Sequence, residues 1–113
     1  MKVTQSAVVS PAMAKEAENL GALLARLRHA RGVKQQDAAL RAGISRNSAY
    51  RMERGDPGLA IGQILRYLEA IAPGKTLLDL LSESDPALTV MAARDKKRRV
   101  RDMTRAELDE LDF

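Results

Sequence analysis

A glycine between two short helical segments constrains the fold of this chain more than any other feature. Gly43 separates a segment that runs from about Gln35 to Ala42 from a second segment that begins near Ser45. Small and apolar residues recur in both segments at the spacing of one inward helix face: Ala38, Ala42, Ala49 and Met52. A sharp turn favours a residue that adopts positive φ readily, and glycine does so. The pattern predicts two short helices that cross at a tight turn.

The residues beside this glycine point to a specific motif. Ala39 is small at the place where two crossing helices approach closely, and Ile44 follows the glycine as an apolar anchor for the second helix. A small residue, a glycine and an apolar residue in this order, within a turn of about three to four residues, are typical of the helix-turn-helix motif.

The flanking sequence predicts further helices and no sheet. Leucines at helical spacing precede a helix end at Gly32, an apolar stripe runs from Ile61 to Ile71 before Pro73, and a short leucine-rich helix follows. No alternating run of β-branched residues interrupts this region. We therefore predict an all-α fold with a five-helix domain at residues 19–81, a short N-terminal arm at residues 1–18 and a charged C-terminal extension, helical or disordered, at residues 82–113.

Composition excludes several classes of protein. The chain has no cysteine and a single histidine, so it lacks a disulfide framework, a cysteine nucleophile and a multi-histidine metal site. His29 has Arg28 and Arg31 as neighbours, which indicates an exposed position. No glycine-rich phosphate loop is present either. We therefore predict no enzymatic activity, no catalytic residue, no metal and no cofactor.

The charge balance is compatible with a nucleic-acid partner. Lysine and arginine total 19 against 15 acidic residues, and the net charge of +4 favours polyanions modestly. Two tyrosines and one phenylalanine are too few for a platform that stacks single-stranded RNA. Nothing at the N-terminus resembles a signal peptide and no apolar run approaches membrane-spanning length, so we expect a cytoplasmic protein.

The central stretch resembles a known family. GVKQQDAALRAGISRNSAYRMERG is similar to the helix-turn-helix of the phage repressor and Cro family, also called the XRE family, and the similarity extends from about Leu20 to Leu81. The resemblance implies a repressor-like, five-helix DNA-binding domain that binds a two-fold operator as a homodimer. It further implies a transcriptional regulator, and we expect a repressor that occludes a promoter.

The second helix of the motif carries the residues that match the family's base-contacting positions: Arg46, Asn47, Arg51 and, beside them, Tyr50. Helical geometry agrees, because Ala49 and Met52 on the inner face point these side chains outward together. Such a helix enters the major groove by its N-terminal part, where arginine bridges guanine O6 and N7 and asparagine bridges adenine N7 and N6. The alternative is a solvated surface helix whose arginines pair with Glu53.

Residues around the motif are expected to hold the DNA backbone and the domain. Phosphate contacts are predicted for five side chains: Lys34, Gln35, Ser45, Ser48 and Arg54. The chain departs from the family in two places, because Lys34 replaces the usual Ser or Thr N-cap and Asp56 puts negative charge in a loop that is often basic. The resemblance also implies an ion pair between Glu53 and Arg28 of the first helix.

The leucines of the fifth helix predict self-association. They point to more than one side of a short helix, so one side can cover the core while the other remains an apolar patch. Burial of such a patch about a two-fold axis is its simplest use. We therefore expect a homodimer whose interface includes Leu77, Leu78 and Leu81.

The C-terminal extension leaves alternatives open. A helix from Pro86 runs into a basic block at residues 94–101, and the capping-box pattern of Thr104 and Glu107 predicts a separate acidic helix after it. The block can grip DNA phosphates, the extension can order on a protein partner or the second protomer, or it can be a solvated tail. A protein partner keeps a second function open, an antitoxin that autoregulates its operon and binds a toxin through a terminal segment.

Overall fold

The computed structural model describes residues 8–82 and 85–111, with residues 100–111 as backbone only. This part of the chain contains helices and no strand, which confirms the predicted all-α class. In chain order the helices are α1 Pro11–Ala30, α2 Gln35–Ala42, α3 Arg46–Glu53, α4 Ile61–Ile71, α5 Leu77–Leu81 and α6 Pro86–Leu111. Among the described residues, no helix has the length and apolar character that crossing a membrane requires.

Helix α1 begins earlier than the leucine spacing predicts. Ser10 is its N-cap and accepts a hydrogen bond from the Met13 backbone N–H at 3.2 Å, and Pro11 lies in the first turn. Proline is favoured there because its missing N–H would have no partner within the helix. Residues 11–18 of the predicted N-terminal arm are therefore helical. The helix begins where Ser10-Pro11 has the sequence pattern of an N-cap followed by proline at the first helical position, and the structure confirms that interpretation of the two residues.

The tight turn between α2 and α3 has the predicted geometry. Gly43 has a φ of 68°, in the left-handed region that glycine enters without steric strain. The Ile44 N–H donates to the Ala39 carbonyl oxygen at 3.0 Å, which satisfies a carbonyl at the end of α2. Ala38 and Ala49 are both 0% exposed, so the two helices bury small side chains where they meet.

Two glycines allow α1 to pass close to the end of α3. A Cβ at Gly21 would lie 2.5 Å from the Gly55 backbone nitrogen, and a Cβ at Gly55 would overlap the carbonyl oxygen of Ala17. A larger residue at either position has no room, because the obstructing atoms are backbone. This close approach fixes the C-terminal end of α3 against the middle of α1.

The core lies mainly between α1, α4 and α5, with the small residues of α2 and α3 packed against it. Its largest fully buried side chains are Leu24, Leu27, Tyr67, Leu68, Ile71 and Leu80. Burial of apolar surface is the main favourable contribution to folding. Because α2 and α3 cover one side of this core, their opposite faces are left at the surface.

Helix α6 differs from the expected extension in two respects. Its first turn is part of the core, since Leu88 is 4% exposed and Asp85 accepts a hydrogen bond from Arg31 Nη2 at 2.6 Å. The backbone then continues as one helix through Thr104 to Leu111, so the prediction of a separate helix starting at Thr104 was wrong. The basic block consists largely of good helix formers and contains no glycine or proline that would end the first helix.

Candidate functional site

Helix α3 turns one face to the core and the other to solvent. Ala49 and Met52, which are 0% and 3% exposed, attach the helix to the domain. The opposite face carries all the side chains predicted to contact bases, three of them exposed and the last half-buried: Arg46, Asn47, Tyr50 and Arg51. The structure therefore brings these four donors together on one accessible surface.

The N-terminal ends of α2 and α3 lie side by side at one edge of this surface. Lys34 and Gln35 share a shallow pocket with Arg46. Ser45 caps α3, because its Oγ accepts the Ser48 backbone N–H at 3.0 Å, whereas exposed Lys34 makes no side-chain cap for α2. Helix N-termini carry unpaired N–H groups and partial positive charge, which favour an anion. This edge suits a phosphate.

Two arginines at the other end of α3 make contacts within the protein that the pattern did not predict. Arg54 Nη1 donates to the Tyr50 hydroxyl at 2.6 Å, and the guanidinium carbon lies 5.4 Å from the ring centroid. Arg51 Nε donates to Asp56 Oδ2 at 2.7 Å, and Asp56 Oδ1 accepts the Gly58 N–H at 2.8 Å. The bond from Arg51, followed by that from Gly58, lowers the pKa of Asp56. Asp56 is thus an ionised carboxylate paired with Arg51, not an isolated charge.

Arg28 and Glu53, the pair that the resemblance implies, lie in contact beneath α3. Arg28 Nε and Nη2 donate to Glu53 Oε2 and Oε1 at 2.6 and 2.9 Å, and the two side chains are 10% and 9% exposed. Arg28 Nη1 also donates to the Val33 carbonyl oxygen at 2.9 Å. This guanidinium therefore ties α1 to α3 and to the turn that precedes α2.

Tyr67 completes the cluster around Glu53. Its hydroxyl donates to Glu53 Oε2, and the residue is 0% exposed. Burial opposes ionisation of Glu53, but hydrogen bonds from Arg28 and Tyr67 outweigh it and lower the pKa of this carboxyl. Burial, together with the bond to Glu53, raises the pKa of Tyr67, so the phenol stays a donor. Tyr67 lies among the apolar residues of α4, whose spacing indicates burial but not a hydrogen-bond partner. Its polar role is therefore not visible in the sequence.

The leucines of α5 divide between core and surface. Leu80 is buried and Leu77 packs against the core, whereas Leu78 and Leu81 are 77% and 53% exposed. Two of the three residues predicted for a dimer interface thus form an apolar surface, and Leu77 lies partly beneath it.

Comparison with known proteins gives a match to a protein family. A family model described as a helix-turn-helix domain matches residues 19–81, which is more than half of the chain. No curated protein and no solved structure matches the sequence. The matched region includes α2, the turn at Gly43, α3 and the loop that carries Asp56, and so the whole candidate site.

Proposed function

Since the chain belongs to the helix-turn-helix domain family, we propose that it is a sequence-specific transcriptional repressor of the phage repressor and Cro type. Membership in this family supports a role as a DNA-binding regulator. The observation that carries this proposal is the exposed face of α3. Ala49 and Met52 hold the helix in the core while hydrogen-bond donors that match base edges point to solvent.

The two kinds of DNA contact fall to different parts of this surface. Base contacts are assigned to the exposed face of α3, through Arg46, Asn47, Tyr50 and Arg51. A bidentate arginine–guanine or asparagine–adenine pair contributes about 1–3 kcal/mol of discrimination. Phosphate contacts are assigned to the rim, through Lys34, Gln35, Ser45, Ser48 and Arg54. Rim contacts of this kind fix orientation and carry no sequence information.

The regulator acts as a cytoplasmic homodimer without a cofactor, and it represses by covering a promoter. The exposed side chains of Leu78 and Leu81 support an apolar two-fold contact that extends to Leu77. Two copies related in this way place their α3 helices in half-sites about 34 Å apart. A Leu78→Glu variant should sediment as a monomer. Wild-type protein that stays monomeric at tens of micromolar, with and without DNA, contradicts the dimer.

The second candidate function is an antitoxin, which helix α6 favours. Its first turn packs on the core through Leu88, and its backbone continues to Leu111, over a total of 26 residues. Such a helix can present a terminal segment to a toxin. All the basic residues between positions 94 and 99 are exposed, and Asp95 is the one acidic residue among them. The same helix can therefore contact DNA phosphates. If this function holds, a chain without residues 100–113 should no longer co-purify with a toxin and should still bind DNA.

Selection of bound DNA from a random pool tests the main proposal. We expect a palindrome with half-site centres about 10 base pairs apart, or a multiple of that spacing. A triple variant, Arg46→Ala, Asn47→Ala and Arg51→Ala, should enrich no motif. Arg66→Ala, which removes an exposed arginine outside α3, is the matched control and should enrich the wild-type motif. Enrichment without a common motif contradicts sequence-specific binding, and a single asymmetric site contradicts two-fold binding.

A further inference from the structure

Asp56 lies in the loop after α3 and is held there at three points. Its Oδ2 accepts the Arg51 Nε–H at 2.7 Å, and its Oδ1 accepts the Gly58 N–H at 2.8 Å. Its own backbone N–H donates to the Arg51 carbonyl oxygen at 3.0 Å. The carboxylate cannot rotate without breaking one of these bonds, so it presents a fixed oxygen to the arginine.

The contact with Asp56 occupies only one edge of the Arg51 guanidinium. Within the described part of the chain, no protein group accepts a hydrogen bond from Arg51 Nη1 or Nη2, and the side chain is 41% exposed. Arginine carries its N–H donors in a rigid, planar fork. With Nε engaged, the two Nη groups remain, and they form the end of the fork that can meet guanine O6 and N7 together.

We propose that Asp56 is a specificity-determining residue that positions Arg51 for bidentate recognition of guanine, an inference that rests on the function proposed for α3. Immobilising a long, flexible side chain on binding weakens an interface by about two- to tenfold. An arginine already held by Asp56 avoids much of this loss. The gain applies only where the guanidinium meets its correct base, so it appears as discrimination.

Two other roles for Asp56 predict different effects of its carboxylate on DNA binding. A carboxylate that only repelled phosphates would weaken binding to every sequence equally. A carboxylate that competed with guanine for Arg51 would weaken binding to the preferred base pair most. The geometry favours positioning, because the bond to Nε leaves the end of the fork open and because Arg51 neutralises the charge.

Operators that differ from the selected site at one base pair provide the test. Full-length wild type, Asp56→Ala, Asp56→Asn and Arg51→Ala are compared on these operators and on random DNA at one salt concentration. Asp56→Asn keeps an oxygen that can accept from Arg51 Nε, so it serves as the conservative variant. Asp56→Ala in the Arg51→Ala background completes a double-mutant cycle.

Asp56→Ala should lower the preference for the base pair that Arg51 reads by about two- to tenfold, because the freed side chain must be ordered on binding. Affinity for random DNA should stay equal or rise, since a negative charge is removed. Asp56→Asn should retain most of the preference. In the Arg51→Ala background, the alanine substitution at Asp56 should leave all base-pair preferences unchanged.

Two outcomes overturn the inference. If Asp56→Ala binds every DNA more tightly by the same factor, Asp56 only repels phosphates. If Asp56→Ala discriminates between base pairs more sharply than wild type, Asp56 competes with guanine for Arg51. If Asp56→Ala fails to fold, a loss of preference in Asp56→Asn as large as in Arg51→Ala also overturns it. Failure of the proposed function is visible separately, because Arg51→Ala would then leave every base-pair preference unchanged.

Discussion

Two arginine–carboxylate pairs involve α3, and they differ in burial rather than in distance. Arg28 Nε lies 2.6 Å from Glu53 Oε2, and Arg51 Nε lies 2.7 Å from Asp56 Oδ2. The side chains of the first pair are 10% and 9% exposed, and those of the second are 41% and 30% exposed. Water screens the second pair but hardly reaches the first. The same chemistry can therefore secure the fold in one place and remain open to a ligand in the other.

The surroundings of the two pairs follow from this difference. The buried pair has further partners in Tyr67 and the Val33 carbonyl, and within the described residues no buried side-chain polar atom lacks a hydrogen-bond partner. It links three helices that are distant in sequence. Among the residues that the structure describes, the exposed pair links α3 only to the loop that follows it, and Arg51 Nη1 and Nη2 have no protein acceptor.

Removal of one partner from each pair should give the largest contrast. We expect Glu53→Ala to lower the free energy of unfolding by about 3–5 kcal/mol, because it leaves the Arg28 charge buried without its partner. Asp56→Ala, the matched control, should lower it by less than about 1 kcal/mol, because the pair is exposed and screened. Urea denaturation measures both values. Equal midpoints for wild type and Glu53→Ala would show that the buried pair contributes nothing to stability.

The second largest effect is expected from acid, which should reduce the contribution of the buried pair to stability. The pKa of Glu53 is lowered in the folded protein, so its contribution to stability is complete above its unfolded pKa and is lost as pH falls through its folded pKa. Wild type should therefore lose stability below about pH 4.5, the ordinary value of this carboxyl. Glu53→Gln should lose less over the same range, as measured by urea midpoints. Parallel curves for the two proteins would assign the acid loss to other carboxylates.

A smaller effect is expected when Glu53 keeps its charge but loses one donor. Tyr67→Phe removes only the hydroxyl and should lower the free energy of unfolding by about 1.5–3 kcal/mol, the range for a hydrogen bond to a charged group. Tyr50 is the other tyrosine of the chain, and its side chain is exposed. Tyr50→Phe therefore removes a solvent-exposed hydroxyl and serves as the control, with little change in the free energy of unfolding expected. A Tyr67→Phe protein as stable as this control would remove the phenol from the network.

The sequence predicts those features that depend on near neighbours in the chain. The turn at Gly43 and the buried Ala38, Ala49 and Met52 follow from turn chemistry and helical spacing, and both act over a few residues. The accessible face of α3 follows in the same way, because the inward positions determine which side chains point outward. The ion pair of Arg28 and Glu53 required the family resemblance, since no local pattern joins residues so far apart.

Features set by long-range contacts were missed. The close approach of Gly21 and Gly55 depends on how α1 crosses the end of α3, and a glycine within a helical pattern does not reveal what lies opposite it. Leu88 and Asp85 look like part of a charged extension until α6 is placed against α1. The charge of Asp56 alone indicates repulsion of DNA, whereas its hydrogen bond to Arg51 depends on the folded loop.

The binding of Arg51→Ala and Asn47→Ala to DNA decides whether the exposed face of α3 reads bases. Affinities are measured on the preferred operator and on random DNA at the same salt concentration. Each variant should lose about 1–3 kcal/mol on the operator, confined to particular base pairs, and little on random DNA. Equal losses on both DNAs would show that these side chains hold phosphates and that α3 does not read bases through them.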